Sequence, residues 1–362
     1  MKLFKCDHCG EPVYFENYFC ICCNASLGFD PQKMDLLALQ PGNDNSFILS
    51  AKNEKNTTQG SRYRYCINKQ YHVCNWLLPF ESGDQYCIAC NLNRTIPDLT
   101  LPDNLERWGR IEQAKHRLVY SLLRLKLPVV SKFEDEEKGI AFDFVAQENK
   151  AGATRLLTGH DHGLITLNIA EADDVIREMA RNNMDEVYRT LLGHFRHEIG
   201  HYYWDQLISD TKRLPAFRNI FGDETFDYAE ALKRHYSKVP SDVWKDHFIS
   251  AYASSHPWED WAETWAHYLH IVDTMETAYS FGMTLNPLAA DPGNEMNARE
   301  DIDPYSTKNF GDIILRWLPL SFVMNSLNRS MGMKDSYPFV INEAVKKKLN
   351  FIHETIRAKN IL

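Results

Sequence analysis

Apolar residues recur every three or four positions over several stretches that follow residue 104, and this spacing places them on one face of an α-helix. The strongest pattern begins at Asp185 and meets no proline before Pro215. Other helical patterns run from Leu105 to Leu125, through His256 to His270, and from Gly311 to the carboxyl terminus. These patterns predict that most of the chain beyond residue 104 is helical.

Two short segments alternate apolar and other residues instead, which is the period of a β-strand. They are Gly139 to Val145 and Gly163 to Ile169, both bounded by glycine or charged residues. From Thr95 to Asp103 the chain has two prolines and no helical period, so we expect a domain boundary there. The polar stretch from Gln40 to Gln70 contains a Pro-Gly turn signal and is expected to form an excursion over the surface.

The length, net charge and apolar segments of the chain limit the classes of protein to which it can belong. A chain of 362 residues can form one large and one small domain, and its net charge of −9 argues against a general affinity for nucleic acid. The first residues, MKLFKC, do not resemble a secretory signal. The apolar run from Ile313 is interrupted by Arg316 and Pro319 and is too short to span a bilayer. We therefore expect a cytoplasmic protein that does not enter a membrane.

All nine cysteines lie within the first ninety residues, which indicates a compact metal-binding module. Two CxxC pairs, Cys6 with Cys9 and Cys20 with Cys23, are separated by ten residues, the spacing of a zinc ribbon in which four thiolates surround one ion. Cys22 could replace one of these ligands. A pair needs two intervening residues to direct both sulfurs to one ion, however, which favours Cys20 with Cys23.

A second set of cysteines has the strict CxxC spacing only at its end. Its members are Cys66, Cys74, Cys87 and Cys90. A disulfide framework is the alternative for both sets, but the odd number of cysteines and the lack of an export signal favour two structural zinc ions. Four sulfur ligands leave no position for water, so no chemistry is expected there. The run from Arg62 to Tyr65 is expected to cover the small core between the sets, with a nucleic-acid or protein contact as the alternative.

The helical pattern around residue 197 carries the strongest chemical signal of the chain. His197 and His201 are four positions apart in the sequence HEIGH, so both imidazoles can bind one zinc ion from the same face of a helix. Glu198 lies at the edge of that face and could accept a proton from water activated by the ion. The alternative for these residues is a helix with two core histidines and a surface glutamate.

A catalytic zinc ion has a third protein ligand and leaves its fourth position to water. The stretch HPWEDWAETWAHYLH, which begins at His256, supplies the candidates. We assign Glu259 to the metal and expect Glu263, one helical turn later, to accept a hydrogen bond from a ligand histidine and fix its ring. Glu263 or Asp260 as the ligand is the alternative. The three histidines of this stretch are expected to pack or to face solvent.

Tyr252 precedes Glu259 by seven residues and is the last candidate of the site. Its phenol could donate a hydrogen bond to the oxyanion that forms when water attacks a peptide carbonyl. A half-buried structural aromatic is the alternative for one tyrosine among 17. The distance from Glu259 along the chain is what favours a catalytic role.

The sequence HEIGH, with Tyr252, Glu259 and Glu263, resembles the gluzincins, and the run EDWAE is similar to the anthrax lethal factor branch. This resemblance implies that the first glutamate of the run, Glu259, ligates zinc and that the tyrosine assists the chemistry. The whole chain also resembles bacterial zinc-binding metallopeptidases that carry a zinc ribbon, in phrases such as GHFRHEIGHYYWD and LNRSMGMKDSYPFV. A zincin-type fold is thereby implied, in which the strand at residues 163–169 forms the edge that pairs with substrate.

The combined prediction is an α+β protein with a zinc-ribbon module at residues 1–95 and a mostly helical zincin-type metallopeptidase domain with a small mixed sheet at residues 104–362. The module would hold two structural zinc ions. The domain would hold one catalytic zinc ion and hydrolyse a peptide or protein substrate. One alternative is an adaptor whose ribbon binds nucleic acid or a protein partner and whose second domain is a scaffold. Another is a hydrolase of non-peptide amide bonds.

Overall fold

The computed structural model describes residues 1–50, 61–146, 159–183, 190–237, 242–288 and 296–358. The chain divides into two compact units, Met1–Met179 and Ala180–Leu362. Within the described ranges the first unit holds most of the strands and the second is mostly helical, which confirms the predicted α+β class. The boundary expected from the prolines near residue 100 stays a prediction.

The amino-terminal part of the first unit is built on antiparallel strands that follow one another along the chain. Strands β1 (Phe4–Lys5) and β2 (Pro12–Val13) form a hairpin. Five further strands form one sheet in sequence order: β3 (Ser26–Asp30), β4 (Asp35–Pro41), β5 (Phe47–Leu49), β6 (Arg62–Tyr65) and β7 (Leu77–Pro79). A parallel bridge between Phe29 and Trp76 connects the two edges of this sheet. The rings of these two residues pack 4.7 Å apart in the core.

The predicted surface excursion at residues 40–70 is wrong where β5 and β6 lie. Tyr63 buries its ring against the sheet, and the arginines on either side of it stay partly exposed, which is the period of a half-buried strand. The hydroxyl of Tyr65 donates to the Leu27 carbonyl at 2.9 Å. The run Arg62–Tyr65 therefore covers the small core, as expected. Residues 51–60 of the stretch lie outside the described residues.

A mixed sheet and a long helix complete the first unit. The sheet has the order β10-β11-β9-β8, and β9 is parallel to both of its neighbours. The elements in chain order are β8 (Asn93–Thr95), α1 (Asn104–Arg124), β9 (Ala141–Val145), β10 (Gly159–Asp161), β11 (Leu164–Asn168) and α2 (Asp174–Asn183). The strands predicted near residues 139–145 and 163–169 and the helix predicted from Leu105 are thus confirmed. The expectation that the strand at residues 163–169 forms an open edge for substrate is wrong, because β11 pairs with β10 on one side and with β9 on the other.

The described part of the second unit contains six complete α-helices and two short 3-10 helices, Asp242–Asp246 and Tyr252–Ser254. The α-helices are α3 (Leu191–Leu207), α4 (Leu214–Phe221), α5 (Tyr228–Ser237), α6 (Pro257–Ser280), α7 (Phe310–Ser330) and α8 (Glu343–Arg357), with a short hairpin of β12 (Thr284–Leu285) and β13 (Ala298–Arg299) after α6. Helix α3 begins after Thr190, whose side chain accepts a hydrogen bond from the Gly193 amide. The predicted helical start near Asp185 lies outside the described residues. No helix in the described ranges combines the length and the apolarity needed to cross a bilayer.

Helices α3 and α6 approach each other closely at Gly200, the glycine of HEIGH. A Cβ atom at this position would stand 3.1 Å from the Ala262 Cα atom and 3.2 Å from the Trp265 Cβ atom. The Gly200 carbonyl accepts a hydrogen bond of 2.8 Å from the Trp261 indole. Because both neighbours on α6 belong to or adjoin the backbone, the close approach depends on the absence of a side chain.

Glu300 is a buried carboxyl group that follows β13. Its side chain is 2% exposed, and neither of its carboxylate oxygens has a hydrogen-bond partner among the described residues. Burial raises the pKa of Glu300 to about 7, although the charge of Arg316 acts in the opposite direction. Arg316 instead pairs with Asp301 at 3.0 Å. Ionisation of the Glu300 carboxyl group therefore destabilises the folded state.

Gly200→Ala is expected to destabilise the second unit by about 1 kcal/mol or more. Alanine favours a helix over glycine by roughly 1 kcal/mol, but the contact with the Ala262 backbone forces a shift that costs about 1–3 kcal/mol. Denaturant unfolding of the full chain measures the change. Gly83→Ala is the control, because a Cβ atom there meets nothing within 4 Å. Equal or higher stability of the Gly200 variant would refute the close-packing argument.

Glu300→Gln is expected to flatten the pH dependence of stability. The folded-state pKa of about 7 lies above the unfolded value near 4.5, so the folded protein holds a proton that the unfolded chain has lost, and stability falls as pH rises between these values. The wild type should therefore lose about 2 kcal/mol more than the variant between pH 5 and pH 8. Unfolding midpoints at both pH values test this, with the exposed Glu354→Gln as control. Parallel curves for wild type and variant contradict it.

Candidate metal centres

Two helices of the second unit bring the HEIGH histidines and a glutamate to one point. His197 and His201 lie on α3, and Glu259 lies in the first turn of α6. The two Nε2 atoms are 3.2 Å apart, and the Glu259 Oε2 atom is 3.0 Å from that of His197 and 3.5 Å from that of His201. Ligand atoms about 2.05 Å from a tetrahedral zinc ion stand about 3.3 Å apart, so these spacings fit zinc.

The atoms that face away from this point are held by other side chains. The Nδ1 atom of His197 lies 2.8 Å from Glu263 Oε1, and the Ser250 hydroxyl donates to Glu263 Oε2 at 2.6 Å. The Tyr228 hydroxyl donates to Glu259 Oε1 at 2.6 Å. Glu263 thus stands behind His197 and outside the three-atom group. Because the carboxylate accepts a hydrogen bond from the Nδ1–H group, the Nε2 lone pair of His197 is directed to the common point.

The electrostatics of the three side chains favour a positive charge at their centre. Burial lowers the pKa of His197, but hydrogen bonds to Glu259 and Glu263 outweigh this and raise it well above the usual value. Burial likewise raises the pKa of Glu259, but the charge of His201 and the hydrogen bond with His197 bring it well below the usual value. A proton or a metal cation can supply that charge, and three converging ligand atoms suit the metal.

The other candidates near Glu259 have partners elsewhere. Asp260 points to Lys348, with an oxygen–nitrogen distance of 2.7 Å, and burial raises the pKa of Asp260 to about 7. His256 caps α6, accepting a hydrogen bond from the Trp258 amide. His267 contacts the Tyr337 hydroxyl at 2.9 Å, and His270 contacts Arg196 at 2.7 Å. None of these four joins the group of three atoms in the described part of the chain.

Glu198 and Tyr252 lie beside the three-atom group. Glu198 is 6% exposed, and one of its oxygens is 3.5 Å from the Nε2 atom of His194, one turn earlier on α3. The Tyr252 ring centre is 5.9 Å from that of His197. Burial and the nearby Glu259 carboxylate raise the pKa of Tyr252 far above its usual value, so its hydroxyl keeps its proton and can act as a donor.

The first set of cysteines in the first unit forms a compact group of four sulfurs. Cys6 and Cys23 are 3.7 Å apart, and Cys9 and Cys20 are 3.6 Å apart. Sulfurs about 2.3 Å from a tetrahedral zinc ion stand about 3.8 Å apart, whereas a disulfide needs about 2.05 Å, so the group fits zinc and excludes these disulfides. Cys22 is exposed and does not belong to the group. A hydrogen bond from the Glu11 backbone lowers the pKa of Cys9 to about 7, which favours the thiolate.

The second set is buried on all sides. Its four sulfurs form a group, and all of them are at most 2% exposed: Cys66, Cys74, Cys87 and Cys90. The Cys74 and Cys87 sulfurs are 3.7 Å apart, again the spacing of a tetrahedral zinc–thiolate site. The amide of Cys87 donates to the Cys66 sulfur at 3.4 Å. An unpaired thiolate would be costly at this depth, so the group requires a cation or protons.

Helix α1 adds three buried polar residues to this second group. The His116 Nε2 atom lies 3.7 Å from the Cys90 sulfur, and its Nδ1 atom contacts the Glu112 carbonyl at 2.6 Å. Glu112 accepts hydrogen bonds from Lys115 at 2.9 Å and from Trp108 at 3.1 Å. Burial lowers the pKa of His116, but the hydrogen bond with Cys90 and neighbouring charges raise it overall. The second group therefore continues into α1.

The sequence reasoning missed Tyr228, Ser250 and the polar residues of α1. No spacing rule connects Tyr228 with Glu259, since they are 31 positions apart and lie on different helices. Glu112, Lys115 and His116 could have been noticed, because they fall within the apolar pattern of a predicted helix. Charged residues on the buried face of a helix require partners, and the second cysteine set supplies them.

Two family models match this chain. Residues 104–355 match the family described as "Putative zinc-binding metallo-peptidase", and residues 3–101 match a zinc-ribbon domain. The chain is 41% identical over 357 residues to uncharacterized proteins of Mycobacterium tuberculosis and Mycobacterium bovis, covering 98% of this chain and 95% of theirs. No solved structure matches, and none of these comparisons shows the resemblance to anthrax lethal factor. They do support zinc binding and a metal-dependent peptidase role.

Cys22→Ser and Cys23→Ser are expected to separate the spare cysteine from a ligand. The Cys22 variant should keep as many zinc ions as the wild type, whereas the Cys23 variant should hold one fewer, because only Cys23 joins the four-sulfur group. Native mass spectrometry of the full chain counts the ions. The geometric assignment is wrong if the Cys22 variant loses the ion and the Cys23 variant keeps it.

Proposed function

This chain belongs to the family of zinc-binding metallo-peptidases, and we propose that it hydrolyses peptide bonds at a zinc ion held by His197, His201 and Glu259. One observation carries the proposal above the others. Three buried ligand atoms converge at the spacing of a tetrahedral zinc site, and a carboxylate that does not belong to the group, Glu198, follows directly after the first histidine. A structural site has no need of that additional acid.

Zinc at this point would lower the pKa of a water molecule toward about 7 and polarise the carbonyl of the substrate. The charges of the ligand side chains determine how strongly the ion would have these two effects. Two neutral imidazoles and one carboxylate contribute a single negative charge, so the centre would keep net positive charge. Glu263 accepts a hydrogen bond from the Nδ1–H group of His197, which holds the ring in the tautomer that presents Nε2.

Glu198 is the proposed general base. It removes a proton from the attacking water and then transfers it to the amine that leaves when the carbon–nitrogen bond breaks. The position suits this role, since the side chain is 6% exposed and thus largely shielded from competing solvent. His194, 3.5 Å away, limits the directions in which the carboxylate can turn.

Tyr252 is the proposed donor to the oxyanion. Its hydroxyl retains its proton because the ring is largely buried and close to Glu259. A donor that is held in place before the reaction stabilises the charge on the carbonyl oxygen at little cost in reorganisation. The chain would then carry three zinc ions in total, one at this site and one at each group of four cysteines. The cysteine sites would be structural, and the ribbon is the part of the chain proposed to contact a protein partner.

Metal counts and hydrolysis together test this function. Glu198→Gln should keep three zinc ions per chain and lose hydrolysis of a peptide library by about 100-fold or more, since the amide cannot accept the proton. Glu259→Ala should keep two ions, and Glu263→Ala should keep three, although about 10–100-fold more weakly at the third site. Native mass spectrometry and a mass-spectrometric cleavage assay provide the two readouts.

Full activity of Glu198→Gln with the metal retained would exclude Glu198 as the base. Two ions in the wild type, with no change in either glutamate variant, would favour the adaptor instead, in which the ribbon binds a partner and the helical unit is a scaffold. The wild type could also hold three ions and cleave non-peptide amides but no peptide of the library. The zinc site would then be correct, and the substrate class would be non-peptide amides instead of peptides.

A further inference from the structure

Tyr228 touches the site from the first turn of α5. Its hydroxyl donates to Glu259 Oε1 at 2.6 Å, the short distance typical of a bond to an ionised carboxylate. The other oxygen of the same carboxylate, Oε2, is the one that faces the two imidazoles, 3.0 Å from His197 and 3.5 Å from His201. The two oxygens of Glu259 therefore contact different partners, Oε1 the Tyr228 hydroxyl and Oε2 the two imidazoles.

A carboxylate beside a metal ion can bind through one oxygen or through both. Glu259 is 1% exposed, so water cannot easily solvate the oxygen that is not used. Without another donor, Oε1 would turn toward the ion and take a second coordination position. The hydrogen bond from Tyr228 satisfies Oε1 in place and removes the reason for that turn.

The Tyr228 ring is itself fixed on two sides. Its centre lies 5.3 Å from that of His256 and 5.9 Å from that of Trp258. Trp258 also packs on His201, with ring centres 4.0 Å apart. His256 contacts the Phe226 carbonyl at 3.1 Å and so ties the start of α5 to the start of α6. These contacts place the Tyr228 hydroxyl in front of Glu259 independently of a metal.

We propose that Tyr228 is a positioning residue that restricts Glu259 to one ligand oxygen and so keeps a coordination position of the ion open for water. This inference rests on the proposed function, since it concerns the same site. A phenol has one proton, and Tyr228 donates it to Glu259, so it is not the donor to the oxyanion. The oxyanion role stays with Tyr252, whose side chain also forms a hydrogen bond with that of Tyr228.

The first test is how tightly each variant retains zinc. The full chain is titrated with a zinc chelator, and native mass spectrometry counts the ions that remain. We expect Tyr228→Phe to lose one ion at a chelator concentration about 10–100-fold lower than the wild type does, because outer hydrogen bonds to metal ligands commonly have this effect. Tyr236→Phe is the matched control, since this tyrosine lies on the same helix and is 62% exposed.

The second test reports the geometry, which a purely structural role of the ring would not change. The weakly held ion is removed from each protein and replaced by one equivalent of cobalt, while both cysteine sites keep zinc. Cobalt with four ligands absorbs visible light more strongly than cobalt with five or six. We therefore expect weaker absorption in Tyr228→Phe than in the wild type and in Tyr236→Phe.

The outcomes separate this inference from the proposed function. If the wild type never holds a third ion, both the inference on Tyr228 and the proposed function are wrong. A wild type with three ions, together with a Tyr228→Phe variant whose chelator midpoint and cobalt spectrum are unchanged, overturns only the role of Tyr228. A shifted midpoint with an unchanged spectrum means that the tyrosine merely supports the fold near Glu259, and this also overturns the restriction to one oxygen.

Discussion

The close contact of α3 with α6 at Gly200 is the constraint on which the candidate site depends. The two histidines lie on one helix and the glutamate on the other, so the separation of the helix axes decides whether their ligand atoms meet. A Cβ atom at Gly200 would lie 3.1 Å from the Ala262 Cα atom, so a side chain there would require a shift of a few tenths of an ångström. The ligand spacings of 3.0–3.5 Å between the two helices depend on this close approach.

Helix α6 carries several acidic side chains in the interior, and their partners decide which one can face α3. Asp260 is paired with Lys348 at 2.7 Å, and Asp273 is paired with Arg196 at 2.6 Å. Glu263 is occupied by a histidine and a serine hydroxyl. Glu259, whose Oε1 atom accepts a hydrogen bond from the Tyr228 phenol, turns its Oε2 atom to the Nε2 atoms of both imidazoles. The position of Glu259 opposite the two histidines thus depends on how each neighbouring charge is compensated.

Those parts of the candidate sites that depend only on local geometry could be predicted from the sequence. Two histidines four positions apart share a face of any helix, and two CxxC pairs ten residues apart have the spacing of a zinc ribbon, so His197, His201 and the first cysteine group were visible in the sequence. The strands β5 and β6 were missed because each is too short for its alternation to stand out among polar neighbours. Tyr228 was missed for a different reason: its contact with Glu259 depends on the path of the chain between two helices, which no spacing encodes.

The contact between Cys90 and His116 means that the zinc ribbon includes part of helix α1 as well as its cysteines. The matching domain model ends at residue 101, but the buried polar residues that surround the second cysteine group reach His116 on α1. A ribbon inherited or transplanted without this helix would leave a thiolate and its hydrogen-bonding histidine on opposite sides of the cut. The module is therefore not freely portable between proteins. Chains that share its cysteines but lack α1 would need another way to shield that sulfur.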